Sequence, residues 1–284
     1  MYGRVFLYDF SSMRETIPIT IQMEDFMKKT SFIIFLVIFT LFPHHGYGQE
    51  VKKAAIIIDD FGGGVGGVKD FLEGDVQITA AIMPFNELSK KHAEWAYENG
   101  LEIMVHLPMQ PKKGKASWLG PKPITNDLSK EEVRKRVIDA IDSVPHAMGL
   151  NNHMGSLVVE NEEIVRVIVE VAKEKQLYIV DSATSPKSKF EEITEELNVP
   201  FIKRDVFLDD ICSVNQVKKQ MLILARIAES RGTAVAIGHV GTSGKVCSLG
   251  VTESMPEFKQ KHIKVVPVSE LLSDSIRSKY FHLY

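Results

Sequence analysis

The sequence predicts a single-domain α/β fold built on a parallel sheet, and three observations support this prediction. Short apolar, β-branched runs alternate with amphipathic helical patterns from about residue 53 onward. Strands that alternate with helices pair in parallel through helical crossovers. No linker, low-complexity tract or repeat divides this part of the sequence, and its length suits one core. A closed barrel and a doubly wound open sheet are both compatible with the pattern.

Eight apolar runs are predicted as strands. The first, residues 54–58, is a nearly unbroken apolar run rich in isoleucine, which is typical of a strand buried on both faces. The other runs cover residues 76–83, 101–107, 147–150, 177–180, 199–202, 233–237 and, more weakly, 263–268.

Capping residues mark the helices between these runs. Ser129, with a glutamate three residues later, forms a capping box, and Asn161 is a second N-cap. Asn215 begins a third helix, and Gly232 is placed to end it. Ser269 is predicted to cap a final helix near the end of the chain.

The first 50 residues differ in composition from the rest. Two lysines precede an uncharged apolar run, residues 31–42, and small residues follow this run. That order predicts a secretory signal over residues 27–48, followed by one domain over residues 51–284. Residues 1–26 fit neither segment and are interpreted as an extension that arises from a start codon placed too early.

The expected location is therefore extracellular or within the cell envelope. The apolar run is shorter than the roughly 20 residues that a spanning helix needs, so a cleaved signal is favoured over an uncleaved membrane anchor. Membrane contact is expected only through this segment, if it is not cleaved. The formal net charge of −3 gives no overall basic field, so neither nucleic acid nor acidic lipid is an expected partner.

The two cysteines do not form a recognisable zinc motif. Cys212 and Cys247 have neither CxxC nor paired Cys–His spacing. Export would permit a disulfide between them, but two separate buried thiols is the favoured interpretation.

Carboxylates, imidazoles and amides follow most of the predicted strands. Functional groups gather at the carboxyl ends of strands in parallel α/β folds. Each residue alone could be a helix cap or a hydrogen-bonded structural group, but one rim would bring all of them together. They are Asp59, Asp60, His106, Asn151, Asn152, His153, Asp181, Ser182, Arg204, Asp205 and His239.

Asp59 and Asp60 are expected to have different roles, because successive side chains of a strand point to opposite faces. One carboxylate can bind a metal ion while the other stays ionised beside the cation as a base. One aspartate and two neutral histidines form a suitable catalytic zinc set that leaves a position open for water. Such a metal lowers the pKa of bound water to about 7 and polarises a carbonyl oxygen.

Seven segments, in order along the chain, resemble the divergent polysaccharide deacetylases, a branch of the carbohydrate deacetylases. The resemblance implies a single-domain distorted (β/α)7-type barrel, a divalent metal, expected to be zinc, and a polysaccharide or oligosaccharide substrate. The segments are AIIIDDFGGG (residues 55–64), ITAAIMPF (78–85), EIMVHLPMQP (102–111), GLNNHMGS (149–156), YIVDS (178–182), RDVFLDD (204–210) and AIGHVG (236–241).

The resemblance also implies roles at the metal. In the wider superfamily the first aspartate of such a pair is the base and the second binds metal, which assigns Asp59 and Asp60 respectively. His106 is the next expected ligand. The usual His-x-x-x-His pair is broken, because Gln110 occupies the second position. His153, at the next strand end, is the candidate for that place.

Two further roles follow from the same resemblance. The arginine-containing segment that positions the base is missing from residues 149–156, and Arg204 is the candidate substitute. His239 resembles the late histidine that protonates the leaving group. The expected reaction is N-deacetylation of a glycan, in which Asp59 takes a proton from the attacking water.

Three residues are assigned to substrate binding. Asn152 and Asp181 stand at strand ends of the same rim. Trp118 lies in a loop rich in glycine, proline and lysine that follows the His106 strand, where an indole can stack on a sugar.

Three alternatives stay open at this point. The glycine-rich run of residues 62–67 follows a strand, as a phosphate-binding loop would, but it lacks the Gly-Lys-Ser/Thr ending and a dinucleotide fingerprint. A flexible or tightly turned loop over the site is favoured instead. The chain could be a non-catalytic glycan-binding or cell-envelope protein that retains the metal. It could also hydrolyse an ester or a phosphodiester, although few basic residues surround the motifs.

Overall fold

The computed structural model describes residues 51–272. The predicted extension over residues 1–26 and the predicted signal over residues 27–48 lie outside the described residues. Of the helix expected after Ser269, the described residues contain a short 3₁₀ segment, Val268–Leu271, and the remainder lies outside them. No helix in the described range is both long and apolar enough to cross a membrane.

Nine strands form one parallel sheet in the described part of the chain. They are β1 (Lys52–Phe61), β2 (Thr79–Ile82), β3 (Glu102–Met109), β4 (Ala147–Met154), β5 (Tyr178–Asp181), β6 (Phe201–Lys203), β7 (Val206–Phe207), β8 (Thr233–His239) and β9 (Ile263–Val265). The order is β6-β5-β4-β3-β2-β1-β8-β7, and β9 pairs with the start of β1. Because every pair is parallel, the carboxyl ends of the strands lie at one end of the sheet.

The sheet curls into a distorted barrel, and the link between β6 and β7 joins its two edges. These two strands lie at opposite ends of the sheet order, yet only Arg204 and Asp205 separate them in the chain. The backbone N–H of Arg204 donates to the carbonyl of Asp181 at 3.0 Å, and that of Asp205 donates to the carbonyl of Val235 at 2.9 Å. The predicted single-domain barrel is therefore confirmed, and the doubly wound alternative is wrong.

Seven α-helices connect the strands within the same range. They are α1 (Val68–Leu72), α2 (Ser89–Glu98), α3 (Lys130–Asp142), α4 (Glu162–Glu174), α5 (Phe190–Leu197), α6 (Val214–Arg231) and α7 (Gly244–Gln260). Further 3₁₀ turns occur at Ala116–Trp118 and Val158–Glu160.

The predicted helix caps are largely confirmed. The Ser129 hydroxyl accepts from the backbone N–H of Glu132 at 3.2 Å, and Asn161 Oδ1 accepts from the first turn of α4. Helix α6 begins at Val214, one residue before Asn215. It ends at Gly232, whose φ of 84° favours glycine.

The sheet is buried on both faces, as the apolar runs predict. Ile56 and Ile58 of β1 pack toward the helices, whereas Ile57 faces the inside of the barrel. The barrel interior is filled with side chains, and Val268 and Leu272 belong to this inner core. A polar cluster lies among them, in which Glu102 accepts from the hydroxyls of Thr79 and Tyr178 and from the N–H of Ser269.

Two details of the chain differ from the predictions. Strand β7 is not predicted, because two residues give no periodic signal. Cys212 and Cys247 are both free, but only Cys247 is buried, so the prediction of a second buried thiol is wrong for Cys212. Cys212 lies in the exposed turn that leads into α6, where no core residue covers it.

Candidate metal centre and active site

A β-bulge at the end of β1 directs two carboxylates to one point. Ile58 pairs with Ala80 and Phe61 with Ile82, so β1 has one more residue than β2 between these pairs. Asp60 lies in this bulge and has a left-handed backbone conformation, with a φ of 70°. The expectation that successive side chains point to opposite faces is therefore wrong here, since the alternation holds only in a regular strand.

The turn after the bulge is held in place by its neighbours. Gly62 has a φ of 116°, and a Cβ at this position would lie 3.0 Å from Met83 O. The N–H of Gly62 donates to Nδ1 of the buried His92 at 2.9 Å. Burial, and then the charge of nearby Lys91, lower the pKa of His92, which keeps the ring neutral and able to accept this bond. Helix α2 thus fixes the backbone that follows Asp60.

Three metal-binding atoms converge beside this bulge. Asp60 Oδ1 lies 3.3 Å from His106 Nε2 and 3.1 Å from His153 Nδ1. The two imidazole nitrogens are 3.0 Å apart. His106 comes from β3 and His153 from β4, which are adjacent in the sheet. Residues that are distant in sequence therefore form a group that could hold one metal ion.

Hydrogen bonds on the outer nitrogens orient the lone pairs of both histidines inward. Asn151 Nδ2 donates to Asp59 at 2.8 Å, because only the amide nitrogen can donate to a carboxylate. The amide oxygen, Oδ1, therefore faces His106 Nδ1 at 2.8 Å and acts as an acceptor. His106 therefore carries its proton on Nδ1. His153 Nε2 donates to the carbonyl of Trp118 at 3.0 Å, which places the proton of His153 on Nε2. The remaining nitrogen of each neutral ring is a ligand atom with an available lone pair.

The donor set fits a divalent cation. Asp60 Oδ1 is buried and has no hydrogen-bond partner among the described residues. Three acceptor atoms that face one another need a positive charge between them, which either a proton or a metal ion can supply. Zinc–nitrogen and zinc–oxygen distances of about 2.0–2.2 Å place ligand atoms about 2.8–3.6 Å apart when the ligand–metal–ligand angle lies between about 90° and the tetrahedral angle. The observed separations fall in this range.

The charges around the triad favour a cation there. Burial lowers the pKa of His106, but the carboxylates of Asp59 and Asp60 outweigh burial and raise that pKa. Burial also raises the pKa of Asp60, yet the His106 and His153 rings hold it well below its usual range. Carboxylates that attract a proton to His106 attract a metal ion in competition with it. Metal affinity is therefore expected to increase with pH.

Asp59 lies beside the triad without belonging to it. Its Oδ2 is 3.6 Å from His106 Nε2, and its other oxygen accepts from Asn151. Burial raises the pKa of Asp59, and the charges of His106 and His239 oppose this only in part. Asp59 is thus a more basic carboxylate than an exposed aspartate.

His239, which is partly buried, pairs with the buried Asp209, which follows the adjacent strand β7. Asp59 and His239 are register neighbours on β1 and β8. His239 Nδ1 lies 2.9 Å from Asp209 Oδ1, and its backbone N–H donates to Asp209 Oδ2 at 3.0 Å. Burial lowers the pKa of His239, but the Asp209 hydrogen bond and the charge of Asp59 outweigh it and raise the pKa to about 9. The imidazole is therefore protonated at neutral pH.

The structure does not give Arg204 the predicted position. Its Nε donates to the carbonyl of Ser182 at 2.8 Å, and Nη2 lies 3.4 Å from the carbonyl of Ala183. No hydrogen bond joins Arg204 to Asp59 among the described residues, where Asn151 is the donor instead. Arg204 acts on Asp59 only as a nearby positive charge. The cause is the β6–β7 link, which fixes Arg204 against the end of β5.

Asn152 is not placed to contact a substrate. Its side chain is 1% exposed, and its Oδ1 accepts from the N–H of Ser182. Its Nδ2 donates to the carbonyl of Met154 and to the hydroxyl of Thr184. All of its polar atoms are engaged, because strand alternation directs Asn152 away from the face that carries Asn151 and His153.

Asp181 is also part of the framework rather than of the exposed site. It is 1% exposed, and its Oδ1 accepts from the N–H of Ala183 at 2.8 Å. This bond stabilises the turn after β5, where Ala183 has a φ of 54°. Burial and this hydrogen bond do not favour the predicted contact between Asp181 and a substrate, which stays a prediction.

Trp118 has the exposure that a sugar contact needs. The residue is 57% exposed, and its carbonyl accepts from His153 of the triad. This hydrogen bond holds Trp118 next to the triad. Gln110, which occupies the position of the missing ligand, accepts from the N–H of Asn126 at 2.9 Å and serves the loop structure.

The glycine-rich run forms a tight turn against the loop after β8. The N–H of Gly241 donates to the carbonyl of Gly66 at 2.8 Å. A Cβ at Gly67 would lie 2.5 Å from the carbonyl carbon of Gly244. Close packing of two backbones explains glycine at these positions.

Two residues of the site have no assigned role in the sequence predictions, although Asn151 is among the residues expected at the rim. Asn151 shares a strand face with His153, so the period of two along β4 was a usable signal. Asp209 follows β7, and a strand of two residues gives no strand end from which to assign it. Both residues hold a histidine of the site in a fixed orientation.

The comparisons with known proteins show the family of this chain. Residues 56–272 match the family described as divergent polysaccharide deacetylase, and the chain belongs to this family. It is 29% identical to the uncharacterized protein YibQ of Escherichia coli K12 over 222 residues, which cover 78% of this chain and 68% of that protein. It is 31% identical to an uncharacterized protein of Haemophilus influenzae over 203 residues, 72% of each chain.

The fold is similar to that of a solved structure. The crystal structure of the uncharacterized protein ATU2773 from Agrobacterium tumefaciens C58 has a TM-score of 0.72 to this chain at 18% identity. The match covers 79% of this chain and 90% of that one. At this identity the match shows the architecture alone.

Proposed function

We propose that this protein is a metal-dependent hydrolase that removes N-acetyl groups from a polysaccharide or cell-envelope glycan. The observation that supports this proposal most strongly is the convergence of Asp60, His106 and His153, with the basic Asp59 carboxylate 3.6 Å from His106 Nε2. Membership of the divergent polysaccharide deacetylase family supports an acetylated glycan as the substrate.

Asp60, His106 and His153 would hold the metal, and zinc suits one carboxylate with two imidazoles. A bound divalent cation would polarise the acetamide carbonyl and lower the pKa of water to about 7. Asn151 contributes without touching the metal, because it fixes the protonated nitrogen of His106.

Asp59 is the proposed general base. Its raised pKa makes it a better proton acceptor, and the Asn151 hydrogen bond holds one oxygen so that the other faces the site. Asp59 takes a proton from water as the water oxygen bonds to the acetamide carbon.

His239 is the proposed general acid. Its pairing with Asp209 keeps it protonated near neutral pH, and its register with Asp59 places acid and base on adjacent strands. His239 gives its proton to the amide nitrogen as the C–N bond breaks. The products are acetate and a free amine on the sugar.

Trp118 is the proposed sugar contact. The backbone carbonyl of Trp118 accepts a hydrogen bond from His153, and the indole is exposed. A sugar ring stacked on this indole would therefore lie beside the metal site. Replacement of Trp118 by alanine is expected to raise KM for oligosaccharides.

We also propose that the protein is exported through the signal over residues 27–48. The basic, apolar and small residues of that segment support this proposal. The full chain would be expressed in a bacterial host, and its N-terminus sequenced after cell fractionation. Export predicts loss of residues 1–48 outside the cytoplasm; an intact N-terminus in the cytoplasm contradicts it.

Acetate release from N-acetylated oligosaccharides, measured on zinc-loaded protein, tests the catalytic proposal. Asp59→Asn should retain the metal but lose turnover by about 10²–10⁴-fold, because only the base is removed. Turnover that survives this substitution would reject the assignment. A protein that binds metal and oligosaccharides without releasing acetate from any of them would instead be the non-catalytic glycan-binding alternative.

A further inference from the structure

The rim of the barrel mouth has a strongly basic side. Three loops follow the adjacent strands β3, β4 and β5: residues 110–123, 155–161 and 182–188, which we name the lysine sector. Glu160 is the one acid in these loops, although the whole chain has a net charge of −3. The sector contains Lys112, Lys113, Lys115, Lys122 and Lys187.

Glu160 joins the three loops of the lysine sector. Lys112 Nζ donates to Glu160 Oε1 at 2.6 Å, and the Ser185 hydroxyl donates to the same oxygen. Lys187, two residues after Ser185, is near enough for its charge to act on Glu160. The lysines of separate loops therefore lie on one side of the mouth.

Three lysines of this sector have no carboxylate partner. Glu160 neutralises Lys112, and Lys122 lies 4.0 Å from Asp139. Lys113, Lys115 and Lys187 are exposed and form no ion pair with any described residue. An uncompensated group of positive charges beside a cleft raises the local concentration of anions.

This positive group is connected to the metal triad through Trp118. The Trp118 carbonyl accepts from the ligand His153, and its indole ring is open to solvent. Lys115 Nζ lies 5.7 Å from the centre of that ring. A sugar that reaches the triad along Trp118 must therefore pass an ammonium group.

We propose that the substrate glycan is anionic, with carboxylate or phosphate groups on sugars that neighbour the N-acetylated one. Lys113, Lys115 and Lys187 bind these groups. This inference rests on the proposed deacetylase function and specifies its substrate class. The sequence interpretation that few basic residues surround the motifs does not hold in space, because the loops gather the lysines beside the site.

The test uses three chitooligosaccharides of equal length: neutral, 6-carboxylated and 6-phosphorylated. The zinc-loaded full chain would be compared with a triple variant, Lys113→Ala, Lys115→Ala and Lys187→Ala. The matched control removes three exposed positive charges from helix segments away from the mouth, by Lys173→Ala, Arg226→Ala and Lys259→Ala. Acetate release gives kcat/KM, and calorimetry gives the affinity of each oligosaccharide.

The unmodified protein should favour at least one anionic oligosaccharide over the neutral one by about tenfold at low salt, with the preference reduced at higher ionic strength. The triple variant should lose this preference, while the control keeps it. The carboxylated and phosphorylated arms identify which anion is bound.

Equal affinity and equal kcat/KM for neutral and anionic oligosaccharides would overturn the inference, as would a preference that the triple variant retains. If no oligosaccharide releases acetate, the proposed deacetylase function fails, but the calorimetric comparison still decides whether the sector selects anions.

Discussion

At the residue scale, Asn151 connects the proposed metal ligand His106 with the proposed base Asp59. Its amide oxygen accepts from His106 and its amide nitrogen donates to Asp59, at 2.8 Å in both cases. One side chain therefore sets the tautomer of a ligand and the orientation of a carboxylate. Such outer hydrogen bonds tune metal affinity and activity, although they touch neither metal nor substrate.

Two substitutions separate these functions of Asn151. Asn151→Leu removes both hydrogen bonds and should weaken zinc affinity and kcat/KM, each by about 10–100-fold. Asn151→Asp keeps an acceptor for His106 but removes the donor to Asp59, so zinc affinity should survive better than turnover. Zinc titration with a competing chelator and acetate release measure the two quantities. Equal losses in both variants would contradict the division of roles.

The pairing of His239 with Asp209 predicts the alkaline limit of activity. His239 must be protonated to act as an acid, so activity should fall as pH rises through about 9. The raised pKa also contributes to fold stability, which is present below the unfolded-state pKa of about 6.5 and is lost as pH rises through about 9.

Asp209→Asn should move that alkaline limit to lower pH by at least about one unit, because the negative charge beside His239 is lost. The pH dependence of kcat/KM measures the shift. Asp210→Asn, which changes an exposed neighbour, is the matched control and should leave the limit in place. An unshifted limit in Asp209→Asn would show that His239 does not supply the proton.

At the element scale, the loop after β1 and the start of α7 meet through glycine backbones. A Cβ at Gly244 would overlap the carbonyl oxygen of Gly66, whereas a Cβ at Gly64 would meet nothing within 4 Å. These two segments follow the strand ends at which Asp60 and His239 lie. Their close contact therefore keeps the metal ligand and the acid at a fixed separation.

Alanine substitutions at Gly244, which is in this contact, and at Gly64, which is not, test the contact. Gly244→Ala should lower the free energy of unfolding by about 1–3 kcal/mol, because the backbones must separate. Gly64→Ala should leave it unchanged or raise it by up to about 1 kcal/mol, because the unfolded chain loses freedom without a clash. Urea denaturation measures both changes. A similar effect at the two positions would contradict the contact.

Regular elements are predictable from this sequence, and irregular ones are not. Buried strands and capped helices leave periodic signals, so β1, α3 and α4 are predicted closely. The bulge that rotates Asp60 interrupts that periodicity and is invisible in a pattern. Helix α7 contains Gly250 and Pro256, which weaken a helical signal, and the sequence does not predict it.

The same distinction applies to the site. Strand ends predicted that Asp59, Asp60, His106, His153 and His239 would share one rim, because parallel strands end together. The placement of Asn152, Asp181 and Arg204 does not favour their predicted roles, because hydrogen bonds to neighbouring loops engage those side chains. Sequence position indicates proximity, but it does not show which polar atoms are already engaged.

At the scale of the whole molecule, the barrel brings together residues from β1, β3, β4 and β8 at one end. The described residues contain no other group of three or more metal-ligating side chains. A bound metal would therefore connect several strands at once. Binding to the folded state alone should stabilise the whole domain by about 2.7 kcal/mol when free metal is 100 times its dissociation constant.

The metal content of the purified protein tests the central claim most directly. After loading with zinc and removal of excess ion, mass spectrometric metal analysis should find about one zinc per chain. Asp60→Ala, His106→Ala and His153→Ala should each lose most of this zinc, and His146→Ala, an exposed histidine outside the triad, should retain it. Stoichiometric zinc in Asp60→Ala, or none in the unmodified protein, would contradict the account.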